Sequence, residues 1–487
     1  MKWYFQSRRK LSLFHCSFAL EVISGTPLHK VLGDQYRDVY LVYHNGQYES
    51  YLDMPSVQRL WKRSVALILG NPGFLRARIQ ELDDVGKRFV AHATTLTPAW
   101  CARATTRELC RAWRLYNMLY TRLYATYVIA AIADRPMLEW VRRELHEAGH
   151  SDRDATTIIT ALTTLGARGF VGAEQRALKQ LAGIIRSNPQ WLRAIKRSSF
   201  VTLQQRPTLY RHIYTHLKRW HWVPHDLEGQ SWTFDDIVDR LRHILSEHRI
   251  TNSGQHIRLP IFSKEIYAHC RILRDLIYIR ERRKLYMSKA CVAAEPFLDE
   301  LAKRLGVERK VFKMLVAGEV ENALKQGRIN VQQLEGRHER AIAHARAGRI
   351  SWTGHKDLDR LEGRLRAQSN RQEHQRVFHG VPASPGCIEG TARLVHTPSD
   401  YVKVMRGDIV IALNTTPEYI AALSRASGLV ADDSATITCH AATVAREFGI
   451  PCVVGTRSVM EYVHDGDRIR LDANKGEVII LRKNRRT

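Results

Sequence analysis

The sequence predicts a multidomain chain in two styles, a mainly helical N-terminal region followed by a compact α/β domain. Three observations carry this. The chain is 487 residues long, enough for two to four domains. Apolar residues recur at three- and four-residue spacing from Thr97 to Leu365, whereas short apolar runs alternate with turns after Gly380. Charge changes at the same place: residues 1–379 hold 62 Lys and Arg against 37 Asp and Glu, and the remainder holds 13 against 12. The expected divisions are a mixed segment 1–90, a basic helical domain 91–365, a linker 366–379 and an α/β domain 380–483.

In order, residues 36–42 read as a strand, 44–46 as a turn and 48–51 as the return strand. Helical spacing follows at 54–69 and 74–92, separated by Asn71, Pro72 and Gly73. Pro98 suits the first turn of a long helix carrying Leu115, Tyr116, Leu119, Tyr120, Leu123, Tyr124 and Tyr127. That stripe either packs between helices or lines a pocket for a flat ligand. Further helices are expected at 137–148, 152–165 and 172–187. His212 and His216 sit four apart, a spacing metals use, but no third ligand is placed beside them and no metal is expected. Trp220, Trp222, Trp232 and Phe234 read as a packed corner. Residues 261–304 form a long basic helix with Arg271, Arg274, Arg280, Arg282, Arg283 and Lys284. Short helices at 311–315 and 320–325 and a strand at 350–352 follow. Residues 366–376 are polar and aperiodic, hence the linker. Beyond it strands are expected at 391–395, 409–412, 428–430, 452–454, 468–471 and 477–481, with helices at 417–426 and 441–448.

No apolar run is long enough to span a membrane. The first residues lack the apolar core of a signal peptide. The eight cysteines form no CxxC pair, which fits a reducing cytoplasm. The basic first part attracts anions: nucleic acid, phosphorylated ligands or an acidic protein. No nucleic-acid motif accompanies the charge, so nucleic acid is not the expected partner.

The chemistry concentrates at His440. Polar residues before it suit a helix start, and Gly449 followed by Pro451 reads as the stop. A histidine at a helix N-terminus lies in a field that disfavours imidazolium and favours a bound dianion. A neutral imidazole there suits phosphoryl acceptance. Thr438 can cap the helix and donate its hydroxyl near the phosphoryl group, and the N–H groups from Cys439 through Ala441 and Ala442 can face the anion. Arg446 lies about 240° around an ideal helix from His440. Its role stays open between phosphate contact and an ion pair that holds the fold.

Four segments in order carry a family resemblance. They are Gly380 to Gly386 (GVPASPG) continuing through Glu389–Gly390–Thr391–Ala392; Asn414 to Glu418 (NTTPE); Thr438 to Ala442 (TCHAA) with Ala445–Arg446–Glu447, Gly449–Ile450–Pro451 and Val454–Gly455; and Asp465–Gly466–Asp467 with Asp472 and Gly476. Together they resemble the phosphohistidine (swivelling or mobile) domain of the PEP-utilising enzymes, which include PEP synthase, pyruvate phosphate dikinase and rifampicin phosphotransferase. The resemblance implies that the α/β domain is a swivelling phosphohistidine domain and that His440 is the phosphorylated residue. Thr438 and Arg446 would assist it, and Cys439, Ala441, Ala442 and Thr416 would support the phosphate loop. Ala435–Thr436 stand where many relatives carry Gly-Gly, which implies a stiffer loop. The segment from His216 to Trp222 resembles the helical substrate-binding domain of rifampicin-phosphotransferase-type proteins.

Neither the Gly-rich hairpin and acidic metal cluster of an ATP-grasp domain nor a PEP/pyruvate barrel is evident in the remaining sequence. The expectation is therefore a phosphotransferase component with no firmly bound cofactor. It would receive phosphate from an ATP-grasp-type donor protein using Mg and ATP, or from PEP, and pass it to a small-molecule acceptor. Two alternatives stay open: a non-catalytic binding or regulatory protein that retains the swivel fold, and a basic nucleic-acid-binding protein.

Overall fold

The computed structural model describes residues 2–163, 169–197, 203–225, 227, 231–246, 263–369, 376–396, 398–413, 423, 425–432, 440–456 and 458–484. In the first part, β1 (Trp3–Lys10), β2 (Val39–His44) and β3 (Gln47–Asp53) join β4 (Arg340–Arg346) and β5 (Arg349–Trp352) in one antiparallel sheet, ordered β1-β3-β2-β4-β5. Segment 1–90 and the helical region to 365 therefore share a sheet, and one hydrophobic core runs through both, from Tyr4 to Ala345.

Around that core lie α1 (Leu13–Ile23), α2 (Thr26–Leu32), α3 (Met54–Gly70), α4 (Phe74–Thr95), α5 (Pro98–Arg103), α6 (Thr106–Glu147) and α7 (Asp152–Thr163). A reciprocal cap starts α6: the Thr105 hydroxyl accepts from Glu108 N, and the Glu108 carboxylate accepts from Thr105 N. This helix runs through Pro136, so the separate helix expected at 137–148 is its last third. Arg280 braces the turn before the proline, donating to Ala130 O at 3.3 Å and pairing with Asp134 at 3.2 Å. The aromatic stripe is core. Tyr116 and Tyr120 are buried, and Tyr120 stacks on Phe18 with ring centroids 3.9 Å apart.

A smaller lobe comprises α8 (Phe170–Arg186), α9 (Pro189–Arg197), α10 (Pro207–Trp220) and α11 (Phe234–Ser246), around its own core with Trp220, Trp222, Trp232 and Phe234. Its polar centre is Glu174, which accepts from His216 Nε2 at 2.9 Å and from both terminal nitrogens of Arg240 at 2.8 and 2.7 Å. His216 is thus committed to a carboxylate, while His212 lies against the Trp191 ring. Burial would raise the Glu174 pKa, but the hydrogen bonds and charges of His216 and Arg240 outweigh it and hold the carboxyl low.

The long basic helix is α12 (Lys264–Arg304), packed along α4 and α6. After it come α13 (Arg309–Phe312), α14 (Ala317–Gln326), α15 (Val331–Glu339) and α16 (Leu358–Ala367). The last domain is an eight-stranded sheet of β6 (Val377–His379), β7 (Val381–Ser384), β8 (Cys387–Val395), β9 (Ile409–Ala412), β10 (Gly428–Ala431), β11 (Cys452–Val454), β12 (Arg468–Asp472) and β13 (Glu477–Arg482), ordered β6-β13-β12-β8-β9-β10-β11-β7. It begins three residues inside the expected linker. The two outermost strands, β6 and β7, are separated by Gly380 alone, so the sheet curls until its edges meet; Gly380 N donates to Gly476 O at 2.8 Å. Separate hydrophobic clusters form around α17 (His440–Phe448) and around α18 (Val459–Tyr462).

Two outcomes test this packing. A methyl group at Gly86 on α4 would collide with the Tyr286 ring of α12, so Gly86→Ala is expected to lose about 1–3 kcal/mol in urea unfolding. Glu174→Gln leaves Arg240 without its buried counter-charge and is expected to cost about 3 kcal/mol at neutral pH. Because the folded pKa of Glu174 is depressed, its contribution is complete above the unfolded carboxylate pKa and fades as pH falls through the folded one. The wild-type advantage in thermal unfolding should therefore shrink in acid.

Candidate functional site

Strands β8, β9, β10 and β11 run parallel, and α17 is the crossover between β10 and β11. The chain leaves β9, β10 and β11 at the same carboxyl edge, the edge where open α/β sheets bind ligands. His440 is the first residue of α17, so it lies where the chain returns from that edge. The loop after β9 carries Thr416 and the loop after β10 carries Thr438 and Cys439; these three residues lie outside the described ones, as does most of the helix expected at 417–426. Of His440 itself only the backbone is described.

The helix is seated by small side chains. Ala441, Ala442 and Ala445 are buried with Val444 against Val410, Ala412, Leu429, Ala431, Cys452 and Val454. Alanine at these positions lets the helix axis approach the sheet, and valine on the strands fills the space between. Ala441 and Ala442 therefore bury their methyl groups in the core. Gly449, at φ 65°, ends the helix: its N–H bonds Arg446 O at 3.2 Å and Ile450 N bonds Ala445 O at 3.0 Å. Pro451 follows and packs where a side chain on Gly386 would stand, 2.5 Å from the position of a Cβ there. The SPG and GIP segments of the sequence are thus two sides of one contact.

Arg446 is settled in part by the same packing. Its Nε donates to Ala383 O on β7 at 2.9 Å, a bond from the end of α17 to the opening motif. The sequence offered an aspartate or a phosphate as partner; a backbone carbonyl takes this nitrogen. The closing motif is structural as well. Asp465 accepts from Leu394 N at 2.7 Å, and buried Asp467 accepts from His464 N and Asn484 N at 2.9 and 2.7 Å.

One residue that the sequence reading gave no role anchors the site. Asp432 follows β10 directly and is 3% exposed. Its carboxylate accepts from Thr456 Oγ1 at 2.6 Å, Val459 N at 3.0 Å and Met460 N at 3.2 Å. It therefore ties the start of the loop that reaches His440 to the loop after β11 and to the first turn of α18. The signal was its position, an acidic residue directly after an apolar strand and six positions before the Thr-Cys-His segment.

Polar contacts with the helical part include the following. Arg142 of α6 donates to Asn474 O at 3.1 Å, Thr156 of α7 donates to the same oxygen at 3.5 Å, and Arg8 of β1 pairs with Glu461 of α18.

Comparison with known proteins agrees with this architecture. Residues 404–476 match the family described as PEP-utilising enzyme, mobile domain. A probable phosphoenolpyruvate synthase of Methanothermobacter thermautotrophicus is 35% identical over 116 residues, 24% of this chain and 17% of that protein. One from Archaeoglobus fulgidus is 37% identical over 110 residues, 23% of this chain and 14% of its own length. An uncharacterized phosphotransferase of Bacillus subtilis is 30% identical over 117 residues, 24% of this chain and 14% of its own. The chain thus spans 14–17% of the length of these curated relatives.

Asp432→Ala strips acceptors from two backbone N–H groups and a buried hydroxyl, and is expected to cost about 2–4 kcal/mol in urea unfolding. Asp432→Asn, which keeps one carbonyl oxygen, should recover part of that loss.

Proposed function

We propose that this chain, whose C-terminal part is the mobile domain of the PEP-utilising enzymes, is a phosphotransferase component carrying phosphate on His440. The observation that supports it most is the position of His440, first in a helix at the carboxyl edge of four parallel strands. The dipole of a helix N-terminus favours a bound dianion there.

In the first step an imidazole nitrogen of His440 attacks the transferable phosphorus of the donor. The P–N bond forms, the donor's P–O bond breaks and its electron pair leaves with the donor oxygen. In the second step an acceptor oxygen attacks the same phosphorus and the P–N bond breaks, returning a neutral imidazole once the acceptor proton is lost. The donor is ATP held with Mg by a separate ATP-grasp-type protein, or PEP; the acceptor is a small molecule with a hydroxyl or carboxyl group. Thr438 caps the helix and donates to the phosphoryl oxygens, and Cys439, Ala441, Ala442 and Thr416 shape the loops around them. Arg446 acts through position, holding α17 to β7.

Between donor and acceptor the domain swings on the segment between α16 and β6. Nine residues, 368–376, reach at most about 30 Å when extended. Release would break the contacts at Asn474 and Glu461. The working division is a helical part to residue 365, the linker 366–379 and the mobile domain 380–483. A cytoplasmic setting belongs to this reading: the seven cysteines among the described residues are free thiols, and no helix among them is long and apolar enough to cross a membrane.

Ala435–Thr436 in place of Gly-Gly favours a second reading, a regulatory protein that binds a phosphorylated ligand without turnover. Labelling separates the two. Incubation with radiolabelled PEP, or with labelled ATP, Mg and a candidate donor protein, is expected to give an acid-labile, base-stable phosphate that His440→Ala abolishes. Absence of label from every donor overturns the carrier reading.

A further inference from the structure

The helical part contains a cleft that the carrier chemistry does not use. Helices α1, α2, α4 and α6 frame an opening of about 720 Å³, far from the mobile domain. Its α6 residues lie at least sixteen positions before Arg142, which is about 24 Å along a straight helix.

Two polar groups in the cleft lack partners among the described residues. The Arg78 Nε is buried without a hydrogen bond, although its Nη1 pairs with Glu81 at 2.6 Å. The Glu21 carboxylate, on α1, makes no hydrogen bond or ion pair there. Charge is arranged unevenly between them. Arg122 shares Glu81 with Arg78, at 3.4 Å, and Lys30 adds a cation from α2, so the rim carries a positive surplus. Asn117 and Thr121 of α6 present amide and hydroxyl groups, and Thr121 already leans on the Asn117 Oδ1 at 3.3 Å. Pro27, Val31 and Met118 supply apolar wall.

We propose that this cleft binds a sugar phosphate, its phosphate on Arg78, Arg122 and Lys30 and its hydroxyls toward Glu21, Asn117 and Thr121. A guanidinium fork suits phosphate, and a carboxylate beside amide and hydroxyl groups suits a polyol. The C–H face of the sugar lies along the apolar wall. Burial lifts the Glu21 carboxyl to about 7, so near neutrality it both accepts from and donates to hydroxyls and repels the anion less than a full charge would. This site stands without the carrier reading, since binding requires no donor and no His440.

The test is calorimetry on the full chain with glucose 6-phosphate, glucose and inorganic phosphate as probes. Glucose 6-phosphate is expected to bind at one site, at least about tenfold tighter than either part alone. Arg78→Ala and Glu21→Gln should each weaken it, the first by about tenfold. Arg122→Ala, an exposed position, gives the same readout should Arg78→Ala fail to fold. His440→Ala should bind as wild type does, which separates this outcome from failure of the phosphoryl carrier. No saturable binding, affinity for inorganic phosphate equal to that for the sugar phosphate, or binding unchanged in both arginine variants overturns the proposal.

Discussion

Asp432 leaves a parallel strand and enters a loop while its carboxylate is shut away from water. Burying that carboxylate is offset by a hydroxyl and two backbone N–H groups that turn toward it. The same three bonds define the carboxyl edge of the sheet. They fix where β10 stops, where the chain after β11 turns, and how the first turn of α18 is capped. The loop to His440 therefore departs from a rigid point, and its far end is rigid too, because α17 is pressed to the sheet by three alanines. A residue held between two fixed points needs little else to stay in register.

Much of the C-terminal domain was legible in the sequence because close packing and turns restrict the residue types in its motifs. Gly386 and Pro451 meet, Gly380 bonds Gly476, Asp465 receives the Leu394 N–H and Asp467 receives the His464 N–H of its own turn. Each constraint confines the residue type at a fixed spacing, so four short segments carried the fold. Strands at 409–412 and 452–454 fall where the apolar runs placed them. The candidate site was legible only as a residue list. Asp432 was passed over because its partners lie more than twenty residues ahead, and Arg446 kept two readings because Ala383 lies sixty-three residues behind.

The first part was less legible for the same reason. Nothing near residue 340 announces that β4 pairs with β2, three hundred residues earlier. Proline marks a helix boundary in a local reading, yet α6 passes Pro136, with Arg280 of a neighbouring helix bonded to Ala130 and Asp134 in the turn before it. The spacing of His212 and His216 is also a local cue that long-range chemistry overrides: a carboxylate forty-two residues away claims one of them. Local periodicity reports faces, while partners across the fold decide what those faces do.

The C-terminal sheet begins with β6 and finishes with β13, and these two strands are hydrogen-bonded neighbours at one margin of the sheet. Its two ends consequently meet at a single point on its surface. A unit closed in this way can be spliced between unrelated segments of chain, or appended to them, without any host strand having to thread through it. The same geometry confines the connection to the rest of the chain to one corner of the domain.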